Sequence, residues 1–290
     1  NKQLIFNQLI NMKVKLFLAA PLLGCASMMA QPTSFSQPRM LIKAPQGLMN
    51  PVWSPDGSKL AVTGDNFIGI WVANADGSEL TQVSNATGAG YQMTWSDAQN
   101  ITSTPYEMIN NRRMTRIENV NVQTGAIKQV AAAERNFKRS KALNAKSAFQ
   151  VMLDNPKDAT SMIASLGDFA GKWVINPALS PDGRKIAFQI QGKGVFVCNA
   201  DGSDLKALGK GSHATWLPDS ENIMVTLIKD NGDVFTSSDI YCVSTTTGKS
   251  QNITADTDVI PVTMAVSPDG SKLAFDNDVD GCIYIIDLKY

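Results

Sequence analysis

Histidine and cysteine, the side chains that most often bind transition metals or act as nucleophiles, are scarce in this sequence. Its 290 residues include one histidine, His213, and four cysteines at positions 25, 198, 242 and 282. A single histidine argues against a metal centre built from several histidines and leaves one candidate for histidine-based catalysis. Because no two cysteines have Cys-x-x-Cys spacing, the sequence excludes a zinc knuckle or a thioredoxin-type site.

An acidic run near the C-terminus is the one pattern that resembles a metal-binding motif. Residues 276–281 match the Asp-x-Asp-x-Asp-Gly start of a calcium loop. Asp287 stands at the twelfth place, but 283–287 reads as a strand that would carry this carboxylate away from the others. The sequence therefore predicts either a partial calcium site on Asp276, Asp278 and Asp280 or a solvated acidic hairpin. We expect no other cofactor.

The balance of acidic and basic residues indicates which classes of partner the protein can bind. Twenty-six basic and 26 acidic side chains give a formal net charge of +0, and only 18% of residues are charged. A nucleic-acid-binding protein needs a basic surface, so we expect no nucleic-acid partner. The one basic run contains Arg135, Lys138, Arg139, Lys141 and Lys146. It is typical of an exposed strand, and contact with an acidic partner or anionic lipid is the alternative.

The N-terminus has the pattern of an export signal. Residues 12–15 form a charged start, and the following apolar stretch ends in small residues and is short for a membrane span. Residues 22–25 resemble a lipobox, which would make Cys25 a lipidated first residue, whereas cleavage near Ala30 would remove Cys25. We therefore interpret 1–30 as upstream residues and a signal, with no transmembrane segment in the mature chain.

The rest of the chain is dominated by an internal repeat. Three segments built around Ser-Pro-Asp-Gly nearly coincide, at 53–62, 179–188 and 266–275, and weaker copies begin at Trp95 and Trp216. The spacing predicts a further unit over Lys141 to Gln150, in which Ala148-Phe149-Gln150 aligns with Ala187-Phe188-Gln189. The repeat therefore predicts six units of roughly 40 residues.

Each unit contains short apolar strands separated by tight turns. Proline presets φ and glycine supplies positive φ in the Ser-Pro-Asp-Gly turn, and Asn-Ala-Asp-Gly-Ser turns at 74–78 and 199–203 close the third strands. Four antiparallel strands per unit predict an all-β protein, a six-bladed β-propeller. In this frame the turn aspartates bind turn backbone, the repeated tryptophans pack between blades, and Cys198, Cys242 and Cys282 are buried free thiols on third strands.

The ends of the repeat predict how the ring closes. The last unit stops at Tyr290 after its third strand, and residues 39–44 form an orphan strand before the first unit. Pairing this N-terminal strand into the last blade would close the ring and remove an exposed edge. The predicted organisation is thus a signal region at 1–30, a short linker at 31–38 and a propeller at 39–290.

The Ser-Pro-Asp-Gly and Asn-Ala-Asp-Gly-Ser turns resemble the WD40-like repeats of TolB-like six-bladed propellers. The resemblance covers nearly the whole predicted mature chain and implies a fold more strongly than a function, because such propellers serve as binding platforms, peptidase gating domains and enzymes. Fewer than 15 residues separate the predicted cleavage sites from Arg39, so we expect the α/β domain that TolB carries before its propeller to be absent. We also expect this chain to lack a catalytic hydrolase domain of the kind found in propeller-bearing peptidases.

Aligning the units places one polar residue at the same position in five of them, three residues before the Trp53 position. These residues are Asn50, Gln92, Asn176, His213 and Thr263, with Phe137 in the degenerate unit. We expect them to ring one mouth of the central channel, where they would form a site for a peptide tail or a small polar ligand. The alternative is that the position only faces water.

The expected function is that of a non-catalytic binding or scaffold propeller in the bacterial cell envelope. It would recognise a protein or peptide at the channel mouth, as an exported monomer that is either periplasmic or lipid-anchored at the outer membrane or cell surface. A carbohydrate-processing enzyme or a peptidase-accessory propeller that uses the same channel is the alternative. Because the predicted ring consists mostly of amides, enzyme activity is not expected.

Overall fold

The computed structural model describes residues 31–134 and 147–290. The predictions for 1–30, including Cys25 and both cleavage routes, lie outside the described residues, as do Phe137 and the basic run from Arg135 to Lys146. None of the helices in the described part of the chain is long and apolar enough to cross a bilayer.

In the described residues, twenty-two strands form five antiparallel sheets, which we call blades 1 to 5. Two short strands come first, β1 (Ser34–Phe35) and β2 (Arg39–Ile42). Blade 1 contains β3 (Leu48–Trp53), β4 (Lys59–Gly64), β5 (Ile70–Asn74) and β6 (Thr81–Ser84). Blade 2 contains β7 (Thr94–Trp95), β8 (Asn100–Ser103), β9 (Tyr106–Ile109), β10 (Arg112–Asn121) and β11 (Ile127–Glu134).

The other three blades follow the same order. Blade 3 contains β12 (Val174–Leu179), β13 (Lys185–Ile190), β14 (Gly194–Asn199) and β15 (Lys206–Gly209). Blade 4 contains β16 (Ser212–Trp216), β17 (Asn222–Asp230), β18 (Phe235–Ser244) and β19 (Ser250–Asn252). Blade 5 contains β20 (Pro261–Val266), β21 (Lys272–Asn277) and β22 (Cys282–Lys289).

The N-terminal strands complete the last blade. Strand β2 pairs antiparallel with β22, with Arg39 opposite Ile285. This pairing confirms that an N-terminal strand joins the last blade. Strand β1 lies within the stretch predicted as a linker, and it also pairs with β22, with Ser34 opposite Lys289.

The prediction of six blades is wrong for the described residues, which form five. Residues 148–150, aligned above with a strand, begin helix α1 (Ala148–Asp154). Ser147 caps this helix, because its side chain accepts a hydrogen bond from the backbone N–H of Gln150. Helix α2 (Ala159–Met162) and a 3-10 helix (Ala164–Phe169) follow, and a second 3-10 helix (Asp65–Phe67) lies in blade 1.

This helical segment, 147–169, covers a sheet face that a preceding blade would cover in a regular ring. Met152 and Leu166, both fully buried, pack in one cluster with Ile186, Phe188 and Phe196 of blade 3. The apolar face of blade 3 is therefore shielded from water by helices and not by strands.

Blade 2 lacks the apolar face that a following blade would need. In blades 1, 3, 4 and 5, two apolar residues that lie opposite each other on the second and third strands pack against the next blade. In blade 1 these residues are Ala61 and Val72, which pack against blade 2. The equivalent pair in blade 2 is Thr102 and Asn119, and the Thr102 hydroxyl donates to Asn119 Oδ1 at 2.9 Å. Because burying such polar groups against an apolar sheet is costly, this face disfavours a neighbouring blade.

The repeated tryptophans join neighbouring blades, as predicted. The indole N–H of Trp53 donates to the carbonyl of Ala265 in blade 5, that of Trp95 to Val52 in blade 1, and that of Trp216 to Ala178 in blade 3. Leu179 has this position in blade 3. No described blade packs against that side of blade 3, and Leu179 is exposed.

The predictions for turns and thiols are also confirmed. Asp56, Asp182, Asp201 and Asp269 each accept a hydrogen bond from the backbone N–H two residues later. Cys198, Cys242 and Cys282 are buried and free. Burial raises the pKa of the Cys198 thiol to about 12 and that of Cys242 to about 11, so both remain protonated at neutral pH.

Candidate functional site

The five polar residues singled out by the repeat occupy an irregular point on the innermost strands. In blades 1, 3, 4 and 5 the pairing of the first two strands shifts register there. Four of the five residues have positive φ: Asn50 (54°), Gln92 (52°), Asn176 (48°) and His213 (52°). Asparagine tolerates this left-handed conformation better than most residues, so the backbone explains part of the polar preference.

The structure places all five residues on one central cavity. Asn50, Gln92, Asn176, His213 and Thr263 line a space of about 560 Å³. Its remaining lining comes from the inner strands, the helical segment and the aromatic residues Phe67, Tyr91 and Trp173. Cavities of this size that combine apolar walls with a few polar groups are typical of ligand sites.

Blade 5 holds its part of the site with a buried carboxylate. Asp276 Oδ1 accepts from the backbone N–H of Thr263 at 2.5 Å, and Oδ2 accepts from the Thr263 hydroxyl at 2.8 Å and from the backbone N–H of Asn50 at 3.2 Å. These bonds connect blade 5 with blade 1 at the cavity. Asn50 Nδ2 donates in turn to the carbonyl of Gly90, 3.2 Å away in the loop before blade 2.

Asp276 and Asp280, two aspartates of the predicted calcium site, accept hydrogen bonds from different residues. Burial raises the pKa of the Asp276 carboxyl, although hydrogen bonds from Thr263 and Asn50 oppose that shift. Asp280 accepts from the side chains of Asn277 and Tyr284, and Asp278 is exposed. Within the described ranges, no three His, Cys, Asp or Glu side chains form a group suited to a metal ion. The calcium site stays a prediction.

His213 is the histidine of the ring, and its environment favours the neutral imidazole. Burial lowers the pKa of His213 below its usual value of 6.5, because removing water destabilises the charged form. Its Nδ1 atom is buried and has no hydrogen-bond partner among the described residues. An unpaired buried nitrogen is costly, so a ligand that reached this atom would gain a hydrogen bond that the protein leaves unmade.

This shift predicts a pH-dependent contribution to stability. The folded pKa of His213 lies below the unfolded value near 6.5, so the contribution is complete above pH 6.5 and is lost as pH falls toward the folded pKa. We expect His213→Asn to remove this pH-dependent contribution, and asparagine tolerates the positive φ at this position. Urea unfolding at a series of pH values should show wild type losing stability relative to the variant below pH 6.5.

The difference in stability between wild type and His213→Asn reports the titration of His213 separately from that of other groups. Asp276, whose raised pKa contributes with the opposite sign, is present in both and its effect cancels. Parallel pH profiles for wild type and His213→Asn would contradict the prediction.

The aromatic part of the cavity was not predicted from the sequence. Phe67 comes from the loop after β4, Tyr91 from the loop before β7, and Trp173 immediately precedes β12. None has an equivalent in every repeat, so aligning the units could not select them. Their one sequence signal is that they are large aromatic residues next to inner strands or turns, where an exposed ring has no packing role.

Comparison with known proteins finds solved structures that are similar to this chain at low sequence identity. No family model matches the chain, and no curated protein matches it. Similar solved structures include an oligogalacturonate lyase in complex with manganese (15% identity, TM-score 0.34), covering 84% of this chain and 63% of the lyase. The β-propeller domain of Cps50 (Swd1) from Myceliophteria thermophila is similar (10%, 0.43), with 83% of each chain covered.

The tricorn protease is similar too, at 13% identity and a TM-score of 0.46, with 83% of this chain and 26% of the protease covered. This chain thus spans less than two thirds of the lyase and about a quarter of the protease. The fold follows from the described sheets themselves, and the TolB-like relationship stays a prediction. The chain is a β-propeller with five described blades.

Proposed function

We propose that this protein is an exported, non-catalytic binding propeller of the bacterial cell envelope. It recognises a protein or peptide segment at the mouth of its central cavity and acts as a monomer. The observation that carries the proposal is the convergence of one repeat position from all five described blades on a single cavity of about 560 Å³. A ring of side chains from separate blades contacts one ligand from several sides.

The chemistry of the lining favours binding over catalysis. Its titratable side chains are those of His213 and Tyr91, and the residues that the structure describes there include no carboxylate and no amine. Catalytic sites typically combine a nucleophile or general acid with a second acid or base group that is positioned beside it. Asn50, Gln92 and Asn176 supply amide groups, which suit recognition of backbone or hydroxyl groups.

The export part of the proposal is supported by the N-terminal pattern in 1–30. A lipobox at Cys25 would anchor the protein by a lipid, and cleavage near Ala30 would release it. Mass determination of the N-terminal peptide from the native host distinguishes a lipidated Cys25 from a free terminus near Gln31.

Removing two ring side chains tests the binding site. We propose the double variant Asn176→Gly and His213→Gly, because glycine retains positive φ while it removes the side chains. A combinatorial library of acetylated and amidated octapeptides, screened at neutral pH, should yield peptides bound by the wild type. The double variant should bind a selected peptide about tenfold or more weakly, since each lost hydrogen bond contributes about 1 kcal/mol.

Asp256→Gly is the matched control, because Asp256 also has positive φ (59°) but does not line the cavity. Equal affinity of the double variant and this control would overturn the proposed site. If the library yields no binder, or if a panel of neutral oligosaccharides binds or is cleaved, the peptide-binding function itself fails. Cleavage of a bound peptide would contradict the non-catalytic role.

A further inference from the structure

Four large apolar side chains that are exposed to solvent lie together at the cavity. Tyr91, Leu153, Trp173 and Ile175 all line it, with exposures of 44%, 47%, 43% and 36%. Tyr91 belongs to the loop before blade 2, Leu153 to α1, and Trp173 and Ile175 to the start of blade 3. Exposed apolar surface gathered in a concave site indicates a surface that is covered by a ligand.

The two aromatic rings are held in place before any ligand binds. Phe67 packs edge-on against Tyr91, with ring centroids 5.3 Å apart and planes at 77°, and the Thr104 hydroxyl donates to the Tyr91 carbonyl at 3.3 Å. The Lys157 ammonium lies 4.5 Å from the centroid of the Trp173 ring, a cation–π contact. Preorganised walls lower the entropy cost of binding.

The lining also excludes charge. None of the described residues that line the cavity directly is Asp, Glu, Lys or Arg, and the Lys157 ammonium lies beside the cavity against the Trp173 ring. The buried Asp276 carboxylate accepts three hydrogen bonds from Thr263 and Asn50. A basic side chain that entered would lose its hydration without gaining a counter-ion, which is strongly unfavourable. An acidic side chain would find only the Lys157 ammonium, which already contacts the Trp173 ring. The lining therefore favours an uncharged group in the part of the ligand that enters the cavity.

The polar groups of the ring indicate what carries the apolar group. His213 Nδ1 has no partner among the described residues. A neutral imidazole either donates or accepts at this nitrogen, depending on its tautomer. A peptide backbone offers both an N–H and a C=O, so it fits either tautomer, and its side chain can extend toward the aromatic walls.

We propose that the cavity selects a peptide segment by one bulky, uncharged apolar side chain, which enters between Tyr91 and Trp173 while the peptide backbone contacts His213. This inference rests on the proposed peptide-binding function and specifies what is recognised. Tyr91 and Trp173 determine specificity, whereas His213 contributes binding that is independent of the side chain.

Substitution within a bound peptide tests the inference. From a library-selected octapeptide, we would prepare versions in which each residue in turn is Leu, Ala, Asp or Lys and measure Kd by calorimetry. One position should prefer Leu over Ala by about tenfold or more, since burying a Leu-sized side chain is worth about 1.5–3 kcal/mol in transfer free energy. Lys there should abolish measurable binding, because no described carboxylate lines the cavity, and Asp should bind more weakly than Leu.

Protein variants separate specificity from affinity. Trp173→Ala should reduce the Leu-to-Ala preference several-fold, Trp173→Phe should restore most of it, and His213→Gly should weaken both peptides equally. Met108→Ala is the control, because Met108 is 61% exposed and does not line the cavity. Peptides that bind without any apolar preference, or a preference unchanged in Trp173→Ala, would overturn this inference and leave the proposed function standing. Absence of any peptide binding would overturn both.

Discussion

Trp53→Ala should lower the free energy of unfolding by about 3–5 kcal/mol, the usual cost of truncating a large buried aromatic side chain. Trp53 is 7% exposed and packs in the cluster that joins blades 5 and 1, with Leu60, Ala274 and Ile285. Its indole N–H also bonds the Ala265 carbonyl at 3.1 Å. A domain is typically stable by about 5–15 kcal/mol, so this one change should bring the protein close to unfolding. Urea unfolding followed by circular dichroism measures the loss.

Two further variants assign the cause of this loss. Trp53→Phe keeps most of the packing and removes the indole hydrogen bond, so we expect it to cost about 1 kcal/mol more than the volume change alone. Trp173→Ala removes a tryptophan whose side chain is 43% exposed and should leave stability nearly unchanged. If Trp53→Ala were as stable as Trp173→Ala, the junction between blades 5 and 1 would not depend on this tryptophan.

Ser103→Ala combined with Glu118→Leu should stabilise the protein by about 1–3 kcal/mol, because a buried polar atom without a hydrogen-bond partner costs about that much. Ser103 and Glu118 form a register pair in blade 2, at the position of apolar and aromatic pairs such as Phe188 and Phe196 in blade 3. Both are buried, and neither Ser103 Oγ nor Glu118 Oε1 has a hydrogen-bond partner among the described residues.

The other Glu118 oxygen accepts a hydrogen bond from Arg116 Nε at 3.0 Å, and 24% of the Arg116 side chain is exposed. Arg116 can therefore reach water when Glu118 is replaced. Glu118→Gln is the control, because it removes the charge but keeps a buried polar group, and it should not reproduce the gain. A double variant less stable than wild type would contradict the prediction and indicate that the polar pair binds a buried group.

Much of the local structure could be predicted from the repeat because turn chemistry and strand alternation act over a few residues. The Ser-Pro-Asp-Gly turns form as expected, and Asp56 accepts its bond from Ser58. The orphan strand at Arg39 pairs with β22. Asn50, Gln92, Asn176, His213 and Thr263 could be grouped because they share one repeat position, and equivalent positions on inner strands face the same axis.

The number of blades could not be predicted in the same way. The spacing of the repeat left room for a unit around Ala148, but those residues form a helix. The sequence did contain a signal at Thr102 and Asn119, which are polar where other blades are apolar. Its meaning depended on knowing which face of blade 2 these residues occupy.

For this protein the sequence alone determined most of the strands, the tight turns and the tryptophan contacts between blades, and it grouped the five polar residues by repeat position, because each follows from local conformation repeated along the chain. Only the tertiary structure decided that helices cover blade 3 and that Tyr91 and Trp173 share a cavity with His213. Those features depend on segments distant in the chain meeting through complementary apolar faces, and no repeat period encodes that complementarity.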